Sequence, residues 1–123
     1  MKSTFKTMLL STVVAATSLM GATAVMAESH GDDLNYILVS HAPDSDSWWN
    51  TVKNGIALAG EQMGVNVEYR NPPTGDLADM ARIIEQAAAS NPDGIITTLA
   101  DFDVLSGPIR AAVDQGIDVI IMN

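Results

Sequence analysis

Four short apolar runs alternate with three longer amphipathic ones from Asn35 to the end of the chain. Asn35 to Ser40 (Asn-Tyr-Ile-Leu-Val-Ser) is continuous and of strand length, the pattern of a strand buried on both faces. Trp49, Val52, Ile56, Ala59 and Met63 recur at spacings of three and four, which predicts one apolar stripe on a helix. Ser45, Asp46 or Ser47 can cap its first turn, and Gly64 suits a left-handed cap at its end. Val65 to Tyr69 alternates and reads as a second strand nearer an edge. Asn71-Pro72-Pro73-Thr74-Gly75 must be a loop, because paired prolines cannot donate to a helix or a central ladder. Asp76 caps a second helix with Leu77, Met80, Ile84 and Ala87 or Ala88 inward, stopped by Asn91-Pro92-Asp93-Gly94. Gly94 to Thr98 is a third buried strand. Asp101 or Asp103 starts a third helix, with Leu105, Ile109, Ala112 and Val113 inward. Pro108 lacks an amide donor, so an irregular first turn or a kink is expected there. Gly116 closes that helix, and Ile117 to Met122 is a fourth buried strand.

The order β-α-β-α-β-α-β with short connections gives the fold class α/β. Right-handed crossovers make a doubly wound parallel sheet with helices on both faces. A chain that stops at the tip of a buried strand leaves sheet surface uncovered. The expectation is therefore a truncated piece of a longer protein.

The N-terminus is of another kind. Lys2 and Lys6 precede an uncharged run from Thr7 to Ala27 that closes on Val25-Met26-Ala27. This is the form of a secretory signal peptide, residues 1–27, cleaved after Ala27, rather than a membrane anchor. It assigns 28–123 to the mature α/β domain and the protein to an exported compartment. Losing Lys2 and Lys6 takes the net charge from −9 to −11. So acidic a surface excludes nucleic acid and anionic membranes as partners. The chain has no cysteine, which excludes a disulfide framework, thiolate metal sites and a lipid-anchored cysteine.

Ligands of open parallel sheets bind at the carboxyl ends of the strands, near the point where strand order reverses. Four segments reach that edge: Ser40 to Trp49, Arg70 to Gly75, Thr98 to Asp103, and Asn123. Their only cation is Arg70. Glycine-rich phosphate cradles and a Gly-x-Ser-x-Gly elbow are both missing. His41 with Asp44 or Asp46 could form a base and its orienter, but without a nucleophile motif a loop histidine is the simpler reading. Asp44, Asp46, Asp101 and Asp103 match no metal-loop spacing, and capping or solvation accounts for them. No catalytic residue, metal or cofactor is assigned. What fits is a neutral polyol: indoles stack on apolar C–H faces while carboxylates and amides hold hydroxyls. Trp48 and Trp49 beside Asp46 offer both contacts. Trp49 starts the inward stripe and is shared between core and ligand. Trp48 points about 100° away and is the better ligand contact.

The phrases Asn91-Pro92-Asp93-Gly94-Ile95-Ile96, Met63-Gly64-Val65 and Gly116-Ile117-Asp118-Val119-Ile120-Ile121, with the aromatic pair and the helix centre Gly55 to Gly60, resemble the type I periplasmic sugar-binding proteins of ABC importers, the ribose-binding kind. The resemblance implies two α/β lobes that close on a sugar, this chain being an incomplete first lobe. It implies that Trp48 and Trp49 stack on the sugar and that Asp46, or Asp44 in its place, binds hydroxyls. Ser40 matches the position ending the first strand, and Thr98 and Asp101 the polar loop after the third. Asn123 stands where the family usually has Asp. The implied function is capture of a neutral sugar or polyol in the periplasm and delivery to an ABC transporter permease. The alternative is presentation of the ligand to a chemoreceptor or sensor kinase. A LacI-type regulator would need a basic helix-turn-helix where this chain has its signal-like run. An exported α/β enzyme would need a motif that is absent.

Overall fold

The computed structural model describes residues 34–122. The signal-peptide reading of residues 1–27 and the site assignment of Asn123 lie outside the described residues. The elements are β1 (Asn35–Val39), α1 (Ser47–Met63), β2 (Asn66–Arg70), α2 (Leu77–Ala89), β3 (Gly94–Thr97), α3 (Phe102–Asp114) and β4 (Asp118–Ile121). All strand pairs are parallel, in the order β2-β1-β3-β4. The α/β fold class and the alternating order match the sequence reading.

Alternation along the strands sends side chains to two faces. Ile37, Val39 and Ile95 face α2 and α3, where Met80, Ile84, Ala87, Leu105, Ile109 and Ala112 complete one buried core. Leu38 faces α1 and packs with Ala42 and Trp49, flanked by Val52, Ile56, Tyr69, Ile96 and Met122. Because β2 lies on one side of β1 and β3 on the other, strand order reverses between β1 and β3. Their carboxyl ends therefore bound the crevice where such folds take ligands.

All three helix starts are capped by aspartate. Asp46 accepts from the amides of Trp48 and Trp49, Asp76 from that of Asp79, and Asp101 from that of Val104. Gly64 ends α1 at φ 65°, a left-handed value that glycine adopts without a Cβ penalty.

Four expectations change. On α1 the inward stripe ends at Gly60, while Ala59 is exposed and Met63 is 72% exposed. The helix comes so close to β2 that a Cβ at Gly60 would lie 3.0 Å from the Val65 carbonyl oxygen, a contact a larger side chain would make only by pushing the strand away. Val113 is exposed because Ala112, seven residues beyond Leu105, takes the inward position. The third helix runs unbroken through Pro108. Finally, β4 is no buried strand. Among the described residues it pairs only with β3. Ile120 is 63% exposed on the α1 side, which no described helix covers there, and Ile121 is 51% exposed on the other face, at the end of the edge strand.

Candidate functional site

The loop from Ser40 to Asp46 crosses the reversal point and is held from below and from the side. Ser40 is fully buried. Its hydroxyl lies 2.6 Å from the Tyr69 hydroxyl and accepts the Ala42 amide at 3.3 Å. Its own amide donates to the Arg70 carbonyl at 3.0 Å. The Asn71 side chain donates to the Ala42 carbonyl and to Asp44 Oδ1, both at 2.9 Å, and the Asp44 amide donates to the Pro73 carbonyl at 3.0 Å. The β2–α2 loop thus clamps the β1–α1 loop. This role of Asn71 was missed in the sequence. The only signal was an amide side chain just ahead of two prolines, in a loop too stiff to move with its partner.

On the other side, Thr98 is also fully buried. Its Oγ1 accepts the His41 amide at 3.2 Å and lies 3.0 Å from His41 Nδ1. The imidazole stands edge-on to Trp49, with ring centroids 5.6 Å apart. Trp49 in turn stands edge-on to Trp48 at 5.0 Å. Thr98, His41, Trp49 and Trp48 therefore form a continuous line from the end of β3 to the start of α1. Edge-to-face contacts align the positive rim of one ring with the negative face of the next, so they fix orientation as well as fill space.

The two indoles divide as the helix period predicts. Trp49 is 4% exposed and Trp48 59%. Consecutive helical positions differ by about 100°, so when one points into the sheet the other cannot. Trp49 Nε1 has no hydrogen-bond partner among the described residues, and none of their buried side-chain nitrogens or oxygens lacks one. Its N–H is therefore open to solvent although the ring is core.

Asp46 caps α1 with Oδ1, at 2.9 Å from the Trp48 amide and 3.1 Å from the Trp49 amide. This leaves Oδ2 without a partner among the described residues. Asp101 caps α3 in the same way with Oδ1. Arg70, the cation at this edge, is occupied. Its Nε and Nη2 each donate to Glu68 at 2.8 Å. That bidentate bond holds the Glu68 carboxyl below its ordinary range and raises the guanidinium. The crevice thus offers carboxylate acceptors, ring N–H donors and an exposed indole, with its cation neutralised. No group of three or more His, Asp or Glu side chains among the described residues is arranged to hold a metal ion. A shallow hollow of about 200 Å³ lies around the start of β1, lined by Asn35, Asn66, Ser90 and Asn91 and by the paired Glu68 and Arg70.

The structure brings Ser40, Asp46, Trp49 and Thr98 to one junction with Trp48 at its rim, and Asp101 caps the helix that follows β3. Ser40 and Thr98 form the back of the site, with hydroxyls already engaged within the chain.

A family model described as periplasmic binding protein domain matches residues 36–123. The chain belongs to this family. The periplasmic binding protein domain is also what the fold comparison returns. A carbohydrate transporter from Acidothermus cellulolyticus, solved with myo-inositol, has a TM-score of 0.68 at 30% identity, over 73% of this chain and 31% of that one. A glucose-galactose binding protein from Geobacillus stearothermophilus has a TM-score of 0.67 at 30% identity, over 72% and 31%. An arabinose binding protein from the same species has a TM-score of 0.67 at 28% identity, over 74% and 31%. The chain thus spans about a third of the length of the structures it matches. No curated protein sequence matches it. The family is one of periplasmic binding proteins, and these neighbours are a carbohydrate transporter and two sugar-binding proteins.

Proposed function

We propose that this chain is the first lobe of an exported protein that binds a neutral sugar or polyol in the periplasm and delivers it to the permease of an ABC importer. Residues 1–27 direct export and are cleaved after Ala27, and residues 28–123 form the lobe. The observation that carries the reading is the exposed Trp48 indole, set edge-on against Trp49 at the reversal point, two residues from Asp46, one oxygen of which the helix cap leaves unused. A flat apolar plane beside a spare carboxylate oxygen suits a ring with one C–H face and a hydroxyl edge. A phosphate or carboxylate ligand would meet Asp46 and Asp101, with Arg70 already bound to Glu68. The neighbours solved as inositol-, glucose-galactose- and arabinose-binding proteins support the class and leave the individual sugar open.

In this reading Trp48 stacks on the ligand, Trp49 offers its ring N–H, Asp46 and Asp101 accept hydroxyls, and Asn123 adds a further polar group. Ser40 and Thr98 serve as the back wall that fixes these groups. A second lobe supplies the remaining contacts and excludes water on closure, which strengthens each polar contact. The chain by itself therefore binds sugar weakly. Titration of the two-lobe protein with myo-inositol, glucose, galactose and arabinose, read by tryptophan fluorescence, tests the proposal. Saturable change with at least one of them is expected. No change with any, together with a non-sugar ligand recovered from the purified protein, would overturn it.

A further inference from the structure

His41 sits at the centre of the site, but nothing in the established family membership gives it a task. Its surroundings define its chemistry. Thr98 Oγ1 accepts the His41 backbone N–H and has one proton of its own to place. Thr98 is fully buried, and His41 Nδ1 is the one acceptor within its reach among the described residues. Were Nδ1 protonated, Oγ1 would accept twice and its own proton would be left buried without a partner, a state folded proteins avoid. Nδ1 is therefore the acceptor, and the neutral ring carries its proton on Nε2. Nε2 has no partner among the described residues. Because none of their buried side-chain nitrogens or oxygens is unsatisfied, Nε2 is open to solvent. The ring is held against rotation by Thr98 on one side and the Trp49 indole on the other.

We infer that His41 is a specificity-determining residue: its Nε2–H donates a hydrogen bond to an oxygen of the bound polyol, with Thr98 as the positioning residue that fixes the tautomer. The inference rests on the sugar-binding reading above. It adds a selection rule. The carboxylates Asp46 and Asp101 require hydroxyl donors on the ligand, whereas Nε2–H and the Trp49 N–H require lone pairs. A ligand oxygen at this spot must accept, as a ring oxygen or a hydroxyl does. Replacing that hydroxyl by an amine that is protonated at neutral pH removes the lone pair, so such an amino sugar is rejected.

The test separates the two nitrogens. His41→Asn places an amide oxygen near the Nδ1 position, where it still accepts from Thr98, but has no atom to replace Nε2. His41→Gln extends an amide N–H to about the reach of Nε2. In the two-lobe protein, with whichever of myo-inositol, glucose, galactose or arabinose the wild type binds, His41→Asn is expected to melt near the wild-type temperature and to weaken binding about ten-fold or more. His41→Gln should recover part of that loss. Independently of any sugar, nitrogen-15 NMR of the ligand-free chain should show His41 as the Nε2–H tautomer, its signal assigned by loss in His41→Asn. Wild-type affinity in His41→Asn, or an Nδ1–H tautomer, would overturn the inference and leave the sugar reading standing. A wild type that binds none of the four sugars and carries a non-sugar ligand when purified would overturn both.

Discussion

The two faces of the sheet divide the labour unequally. Against α2 and α3, eleven buried side chains close a core drawn from β1, β3, both helices and the entry to β4. Against α1, the buried apolar side chains of the core cluster are just Leu38, Ala42 and Trp49 among the described residues, and the carboxyl end of that face is polar. The first face holds the strands at fixed spacing. The second, shallower face leaves its carboxyl end free to expose an indole, two ring N–H groups and a spare carboxylate oxygen. A deep apolar core there would have covered the functional groups. The cost is that one residue, Trp49, must anchor α1 and also line the crevice.

The largest expected effect follows from that double use. Trp49→Ala should lower unfolding stability by about 3–5 kcal/mol in denaturant titration and abolish sugar binding in the two-lobe protein. A loss below about 1 kcal/mol would show that the α1 face does not depend on it. Ile84→Ala, in the opposite core, should cost about 2–5 kcal/mol while the folded fraction keeps its ligand affinity. If affinity fell as well, the faces would be coupled rather than independent.

A smaller effect is expected at Glu68. Its carboxyl is held below the unfolded value by Arg70, so the pair stabilises fully above the ordinary glutamate range. That contribution disappears as pH falls through the lowered folded value. The pair is largely solvent-exposed and screened, which keeps it under about 1 kcal/mol. Glu68→Gln should flatten that acid-side slope in pH-dependent melting, with no change at neutral pH beyond this amount. Smallest in stability is Trp48→Ala, expected within about 0.5 kcal/mol of wild type because the indole is mostly exposed. Its effect should appear in sugar affinity alone. A Trp48→Ala protein that is destabilised like Trp49→Ala would erase the distinction between the two indoles.

Much of this was legible before any coordinates. Apolar runs bounded by Gly, Pro and Asp set the order of elements, because a strand or helix that must bury a face repeats at its own period. The aspartate caps could be read for the same local reason: Asp46, Asp76 and Asp101 satisfy amides only two or three residues away. The split between Trp48 and Trp49 followed from helical rotation. Local rules failed where a partner from elsewhere in the chain decides. Gly60 in place of Ala59 depends on how closely β2 approaches. The exposure of Ile120 depends on which strand lies beside β4 and which helix lies above it.

The candidate site shows the same boundary. The sequence by itself determined which chemical groups reach the carboxyl edge: hydroxyls, carboxylates, indoles and an imidazole, with little cation. That follows from strand ends and loop composition, which are local. Only the tertiary structure decided which of those groups remain free. Ser40 is spent on Tyr69, and Thr98 on His41, across separations of 29 and 57 residues. Arg70 is taken by Glu68 across one strand pleat, and Asn71 is committed to the neighbouring loop. A hydrogen-bonding group binds ligand with whatever capacity its own fold leaves it, and that remainder is set by long-range packing.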